Sequence, residues 1–111
     1  MNIKLIYRYE DITEKHSAPI AVVLENDVVR LEDARASFFS RCDAGEFFAP
    51  DDLGLPTAYF DSVAENPETY FHLHQLIDVQ ETEQEATHGS VLTLLGRWMQ
   101  HHAVGWVGRG E

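Results

Sequence analysis

The stretch IKLIYRYE at residues 3–10 is the first that decides the fold. Large apolar side chains occupy every second position, and charged side chains fill most of the positions between them: Ile3, Leu5, Tyr7 and Tyr9 against Lys4, Arg8 and Glu10. A period of two is typical of a β-strand with one face against a core and the other toward water. The N-terminus is therefore predicted to form a half-buried strand.

The next apolar stretch predicts a β-hairpin. The run Ile20–Leu24 is rich in β-branched residues, and Asn26 and Asp27 separate it from residues 28–31. Asn and Asp tolerate the left-handed backbone conformation that tight turns require. We therefore expect these two runs to pair with each other and to form a small antiparallel sheet with the N-terminal strand.

A helix is predicted over residues 33–42. Asp33 can cap this helix, because its carboxylate accepts a hydrogen bond from the free backbone N–H groups of the first turn. Gly45 is placed to end it, since glycine adopts the left-handed conformation common after helices. One side of the helix carries the apolar residues Ala34, Phe38 and Cys42.

The middle of the chain carries mixed signals. Residues 46–56 contain two prolines, one glycine and two adjacent aspartates, so an irregular loop is expected there. A short helix is predicted over residues 57–65, and residues 66–68 (Asn-Pro-Glu) have the composition of a helix start. Residues 68–79 fit helical spacing and also partly fit the alternation of a strand. We predict a helix there. Residues 80–88 are interpreted as a solvated connector.

The clearest pattern lies near the C-terminus. Apolar side chains recur there at helical spacing and form one stripe: Val91, Leu94, Leu95, Trp98 and Met99. A helix is predicted, with Thr87 or Ser90 as its cap and Gly105 after its end. The whole chain is thus predicted to be a single α+β domain over residues 1–111, in which a small antiparallel sheet packs against two to four helices.

The charge of the chain is strongly negative and unevenly distributed. The formal net charge is −11, from 19 acids and 8 bases, and no Lys or Arg occurs between Arg41 and Arg97. That base-free stretch holds eleven acids: Asp43, Glu46, Asp51, Asp52, Asp61, Glu65, Glu68, Asp78, Glu81, Glu83 and Glu85. The remaining acids and bases balance. A surface of this kind repels nucleic acid and anionic membranes and attracts a basic partner protein.

Aromatic residues accompany this acidic stretch. Eight of the twelve form adjacent pairs: Phe38-Phe39, Phe47-Phe48, Tyr59-Phe60 and Tyr70-Phe71. Core filling is the ordinary use of such residues, but exposed aromatics among like charges are good interface anchors. The predicted partner-binding residues are Glu46, Phe47, Phe48, Asp51, Asp52, Tyr59, Asp61 and Glu65.

Candidate chemical sites are few. His72 and His74 would share a face on a strand but point about 200° apart on a helix, so we treat them as weak metal candidates and predict no bound metal. Cys42 is expected to be a buried, inert thiol. The chain shows no phosphate loop, dinucleotide fingerprint, paired-cysteine motif or metalloprotease motif, so no catalytic residue and no cofactor is predicted.

These patterns favour a non-enzymatic acidic protein that docks onto a basic protein surface, as an inhibitor or a nucleic-acid mimic. One alternative is a small metal-binding or enzymatic domain that uses His72, His74 and nearby carboxylates. Another is a homo-oligomer, paired through a sheet edge or through the Trp98 stripe. The longest apolar run, Ile20–Leu24, is far shorter than the roughly 20 residues that cross a bilayer. The N-terminus also lacks the apolar core of a secretory signal, and a cytoplasmic location is expected.

Overall fold

The computed structural model describes residues 1–10, 16–60 and 73–106. Within them, four antiparallel strands form one curled sheet that packs together with three helices. In chain order the elements are β1 (Asn2–Tyr9), β2 (Ile20–Leu24), α1 (Leu31–Ser40), β3 (Phe47–Phe48), α2 (Pro50–Leu53), β4 (His74–Thr82) and α3 (Val91–Val104). Across the sheet the strand order is β2-β1-β4-β3. The predicted α+β class with an antiparallel sheet is confirmed.

Strand β1 lies at the centre of the sheet and carries the alternation read from the sequence. Its odd-numbered side chains, from Ile3 to Tyr9, are all fully buried. Leu5 lies between Val22 of β2 and Val79 of β4, and directly opposed residues in an antiparallel pair share one face. The apolar face of β1 therefore continues onto β2 and β4, and the three strands together form one side of the core.

The predicted hairpin is wrong in its second strand. β2 pairs with β1, and residues 28–31 do not pair with it, because Leu31 already begins α1. The Asn26 side chain accepts a hydrogen bond from the Val29 N–H (3.0 Å) and donates one to the Val29 carbonyl (2.9 Å). The outer edge of β2 is instead bonded by a later segment, through the Thr87 N–H to the Val23 carbonyl at 2.8 Å. Asn26 and Asp27 therefore do not close a hairpin, and the segment that bonds the outer edge of β2 was not predicted.

The helix adopted for residues 68–79 is also wrong from His74 onward, because β4 occupies that stretch; residues 68–72 lie outside the described part of the chain. β4 has a register shift opposite Ile6 and Tyr7, which pair with Asp78 and Leu76 respectively. The extra residue, Ile77, makes this a β-bulge. It places Leu76 and Val79 on the same buried face at a spacing of three, which imitates a helical period.

The first helix begins earlier than predicted, and two predicted loops are partly structured. α1 starts at Leu31 without a side-chain cap, so Asp33 lies in its first turn, where its charge favours the positive helix end. The predicted loop over residues 46–56 contains β3 and α2, and Gly54 ends α2 in a left-handed conformation (φ 69°). Residues 57–60 form no helix, and residues 61–68 are outside the described ranges. The predicted connector begins only after β4 ends at Thr82.

Helix α3 follows its prediction closely. The Ser90 hydroxyl accepts a hydrogen bond from the Thr93 N–H (3.2 Å), so Ser90 is the cap. Trp98 is fully buried and stacks on Phe48, with ring centroids 4.4 Å apart. The core is therefore built between α3 and the inner face of the sheet. Within the Trp98 stripe, Trp98 itself is therefore a core residue, whereas Met99 is 44% exposed.

Arg35 covers the edge of the sheet that β3 leaves open. Its Nε donates to the Val79 carbonyl at 2.8 Å, and its guanidinium lies 3.4 Å from an Asp78 carboxylate oxygen. The pKa of Asp78 is lowered, first by the hydrogen bond from the Gln80 amide and then by the Val79 N–H and Arg35. An uncovered strand edge is a template for pairing with other chains, so Arg35 stabilises β4 and also shields it.

Replacing Arg35 with methionine is expected to lower the free energy of unfolding by about 1 kcal/mol, because a charge-assisted hydrogen bond to an edge carbonyl is lost. Urea denaturation at neutral pH measures this loss. The lowered pKa of Asp78 means that its stabilising carboxylate is present above the ordinary value of 3.8 and is lost as the pH falls through the lower folded-state value. The difference between the variant and the wild type should therefore shrink in acid. A difference that stays constant until the pH is below the folded-state pKa of Asp78 would show that Asp78 takes no part.

Candidate functional site

Most of the sequence-predicted binding residues that the structure describes lie on two consecutive segments: β3 with the turn before it, and α2. The turn before β3 is closed by two hydrogen bonds between Asp43 and Phe47, one from each backbone N–H to the other residue's carbonyl, at 2.6 and 2.9 Å. Ala44 and Gly45 lie between them with φ angles of 54° and 75°. This tight turn presents an exposed Asp43 beside a half-buried Phe47. We call the group Asp43, Glu46, Phe47, Asp51 and Tyr59 the acidic corner.

The Glu46 carboxylate is held by a chain of hydrogen bonds that runs through Gln75 of β4 to Arg8 of β1. The Gln75 amide nitrogen donates to the Glu46 carboxylate at 2.6 Å, and the Gln75 amide oxygen accepts from Arg8 Nε at 3.0 Å. The Glu46 carbonyl also accepts the Leu76 N–H at 2.8 Å. A neutral amide thus stands between the Glu46 carboxylate and the Arg8 guanidinium. It orients Glu46 without cancelling its charge.

Asp51 is held in a similar way on α2. The Tyr59 hydroxyl donates to an Asp51 carboxylate oxygen at 2.9 Å. The Tyr59 ring in turn packs edge-on against Tyr9 and His74, with centroid distances of 5.0 and 4.8 Å. The donor is again neutral, and the ring that fixes the position of this carboxylate is anchored in the core.

Two of the predicted binding residues do not face solvent. Phe48 is fully buried and belongs to the core, where it packs against Tyr7 and Trp98. The Asp52 side chain is only 10% exposed and lies 3.8 Å from His101. The structure therefore corrects both as anchors for a partner. Strand alternation explains Phe48, because neighbouring Phe47 and Phe48 point to opposite faces. Asp61 and Glu65 lie outside the described residues.

The acids that the sequence grouped together fall into two separate sets. Glu81, Glu83 and Glu85 are exposed at the end of β4, whereas the acidic corner lies at its start, beside Gln75. Gln75 and Glu81 are six positions apart along the strand, or about 20 Å. Asp78, between the two sets, is paired with Arg35. Among the described residues the anionic surface is therefore divided between opposite ends of one strand.

The histidine proposed as a weak metal ligand is part of the core. His74 is fully buried, and its Nε2 accepts the Ala58 N–H at 2.9 Å, which uses the lone pair that a metal would need. His72 lies outside the described residues. Across residues 1–10, 16–60 and 73–106, no group of three or more His, Cys, Asp or Glu side chains is placed to hold a metal ion.

Cys42 matches its prediction as a buried, inert thiol. Its side chain is almost fully buried, and its Sγ lies 3.3 Å from the Phe38 carbonyl. Burial, followed by the nearby charges of Asp43 and Glu46, raises the pKa of the thiol to about 12. A neutral thiol is a poor nucleophile, so the acidic corner has no reactive sulfur beside it.

Sequence reasoning missed the two residues that organise Glu46. Arg8 and Gln75 are directly opposed on β1 and β4, on the face away from the core. The alternation of β1 predicted the outward direction of Arg8, but no local signal connects it with Gln75 or Glu46. That contact depends on strand register, and the register depends on the bulge at Ile77.

Comparison of the chain with known proteins does not identify it. No protein-family model, curated protein or solved structure matches. No helix among the described residues is long and apolar enough to cross a membrane. The function is therefore inferred from the side chains of the acidic corner.

Proposed function

We propose that this protein is a non-enzymatic acidic binding protein, and that its acidic corner docks onto a basic surface of another protein. One observation carries the proposal. Within the described part of the chain, no Lys, Arg or His lies within 4.0 Å of the carboxylates of Asp43, Glu46 or Asp51. These three acids have no basic side chain beside them, whereas Asp78 forms an ion pair with Arg35 and the Asp52 carboxylate lies 3.8 Å from His101.

The way the carboxylates are held supports a binding role. Neutral donors, the Gln75 amide and the Tyr59 hydroxyl, fix two of them in place. Pre-organised charges lose little conformational entropy when a partner arrives, and charge complementarity speeds the encounter. Half-buried Phe47 adds an apolar surface beside them. A partner with lysines or arginines around an apolar recess fits this combination.

The nature of the basic partner follows from the same chemistry. Carboxylates spaced along a rigid corner can occupy positions that nucleic acid phosphates take on a basic surface, so the corner would block such a surface. An inhibitor or nucleic-acid mimic is the form of the proposal that we favour. Its setting is the cytoplasm, in keeping with a single cysteine that forms no internal disulfide.

The test uses two triple variants with the same change in net charge. In the corner variant Asp43→Asn, Glu46→Gln and Asp51→Asn are combined; in the control variant Glu81→Gln, Glu83→Gln and Glu85→Gln are combined. Wild type and both variants are immobilised, exposed to native cell extract at about 50 mM NaCl and eluted at about 500 mM, where surface charges are screened. We expect the wild type and the control to retain the same basic protein and the corner variant to lose it.

The affinity of the captured protein completes the test. We expect the corner variant to bind at least about tenfold more weakly than the wild type, equivalent to about 1.4 kcal/mol, with a smaller dependence on salt. The control variant should stay within about threefold. Equal weakening of both variants would show that only net charge matters. If the wild type captures no protein, the proposal fails, and the acidic residues serve only to keep the protein soluble. If the captured protein releases bound nucleic acid when this protein binds to it, this protein acts as a nucleic-acid mimic.

A further inference from the structure

Helix α3 exposes an apolar surface on the side that does not face the core. Leu92 is 60% exposed and Met99 44% exposed, and they lie two turns apart on the same side. Leu95 and Gly96 lie between them, so the four residues occupy about 100° of the helix circumference. Val28, which is 74% exposed, lines the same cleft as Leu92. We call Val28, Leu92, Leu95, Gly96 and Met99 the α3 flank.

Gly96 is the residue of the α3 flank that the fold itself does not explain. A glycine inside a helix costs about 1 kcal/mol relative to alanine. A Cβ built on Gly96 meets no atom within 4 Å, so no neighbouring group in the fold requires a residue without a side chain. Gly96 also has ordinary helical geometry, so its backbone conformation does not require glycine. An absent side chain here does permit the close approach of another helix.

The charge distribution indicates which helix that is. Residues 86–110 contain no Asp or Glu, although the chain as a whole carries a net charge of −11. Two copies of this chain repel each other over most of their surfaces, and a basic partner has no acid to bind on α3. The α3 part of the flank, Leu92, Leu95, Gly96 and Met99, carries no carboxylate, so two α3 helices can approach each other there without repulsion between acids.

The two ends of the α3 flank carry side chains that can hydrogen-bond to each other. Near the start of α3, the acidic residues Glu25 and Asp27 line the cleft that contains Val28 and Leu92. At its end lies His102, which is exposed and can donate an N–H to a carboxylate. An antiparallel pair of α3 helices brings each start beside the other's end, and it also aligns their dipoles favourably.

We propose that two copies of this protein associate through the α3 flank, with their α3 helices antiparallel around a two-fold axis near Gly96. A two-fold axis makes the contact self-complementary, so each Leu92 faces the Met99 region of the other copy. The exposed apolar surface is small compared with the roughly 1,200 Å² that stable complexes bury. The dimer is accordingly weak, with a dissociation constant of about 10 to 500 µM.

Sedimentation velocity tests this association on the intact chain, at about 10 to 500 µM protein. We expect a shift from monomer toward dimer with concentration, and a tighter dimer at about 500 mM than at about 50 mM NaCl, because salt screens the repulsion between two anionic copies. Partner binding by the acidic corner has the opposite salt dependence, so failure of one proposal is distinguishable from failure of the other. A wild type that stays monomeric at the highest protein and salt concentrations would overturn the dimer.

A matched pair of variants locates the interface. Met99→Glu should weaken the dimer at least about tenfold, because it places two carboxylates near the axis. Val104→Glu makes the same change of charge at a residue that is 81% exposed and about 140° from Met99 around α3, and it should leave the dimer unchanged. Leu92→Gln, without a charge, should weaken it as well. Equal effects at Met99 and Val104 would overturn the α3 flank as the interface.

A disulfide tests the geometry of the axis. Gly96→Cys should form a covalent dimer under mild oxidation, because a disulfide needs Cα atoms within about 7 Å of each other. Val104→Cys should remain monomeric, and buried Cys42 should not react in either variant. Failure of the Gly96→Cys variant to cross-link, with its fold confirmed by circular dichroism, would exclude an axis near this residue.

Discussion

Replacing Trp98 with alanine is expected to destabilise the protein by about 3–5 kcal/mol, the largest loss that any single core substitution should cause here. The ring is fully buried, stacks on Phe48 at 4.4 Å, and meets Phe38 and Trp106 edge-on at 4.8 and 5.4 Å. Its removal leaves a cavity between α3, α1 and the sheet that the neighbouring rings cannot fill. A domain of this size is stable by only about 5–15 kcal/mol, so the variant should be close to unfolding at room temperature.

Urea denaturation followed by far-ultraviolet circular dichroism measures this loss. Leu92→Ala is the control on the same helix, because Leu92 is 60% exposed and its truncation should cost less than about 1 kcal/mol. Trp98→Phe should fall between the two, since it keeps part of the ring volume. It also removes an indole N–H for which the described residues provide no hydrogen-bond acceptor. A Trp98→Ala variant as stable as the Leu92→Ala control would contradict the placement of Trp98 at the centre of the core.

Cys42 is expected to react with a thiol reagent at least about a thousandfold more slowly in the native protein than in the unfolded chain. The thiolate is the reactive form, and a rise of the pKa from 9.0 to about 12 reduces its population at pH 8 by about three orders of magnitude. Burial of the sulfur adds a steric barrier. An aromatic disulfide reagent, with release of its chromophore followed over time, should show almost no reaction until denaturant is added, and then one thiol per chain.

The same pKa sets a dependence of stability on alkaline pH. A raised folded-state pKa means that the unfolded chain ionises first, so the contribution of Cys42 is complete below pH 9.0 and is lost progressively as the pH rises toward about 12. A Cys42→Val variant should lack this part of the alkaline loss. Burial also raises the pKa of Tyr7, so part of the loss should remain in the variant. Rapid labelling of native Cys42 at pH 8 would show that α1 opens readily or that the thiol is exposed.

The acidic corner illustrates how far residue types alone can lead toward a site. The absence of basic residues and the paired aromatics singled out Glu46, Phe47, Asp51 and Tyr59. In the structure Gln75 holds the Glu46 carboxylate and Tyr59 holds the Asp51 carboxylate. Composition could not separate Phe47 from Phe48, because the direction of each ring depends on how β3 pairs with β4. It could not exclude Asp52 either, because His101 reaches it from a helix about fifty residues away in the chain.

Local periodicity determined β1, α1 and α3, because each of these elements shows its buried face within its own residues. The α+β class followed from them, as did the inert thiol of Cys42. Only the tertiary structure decided the partner of β2, the strand conformation of β4 and the division of the acids into two sets. The physical reason is the same in each case: strand pairing, and the bulge at Ile77 that sets its register, join residues far apart in the chain, and no short stretch of sequence carries that information.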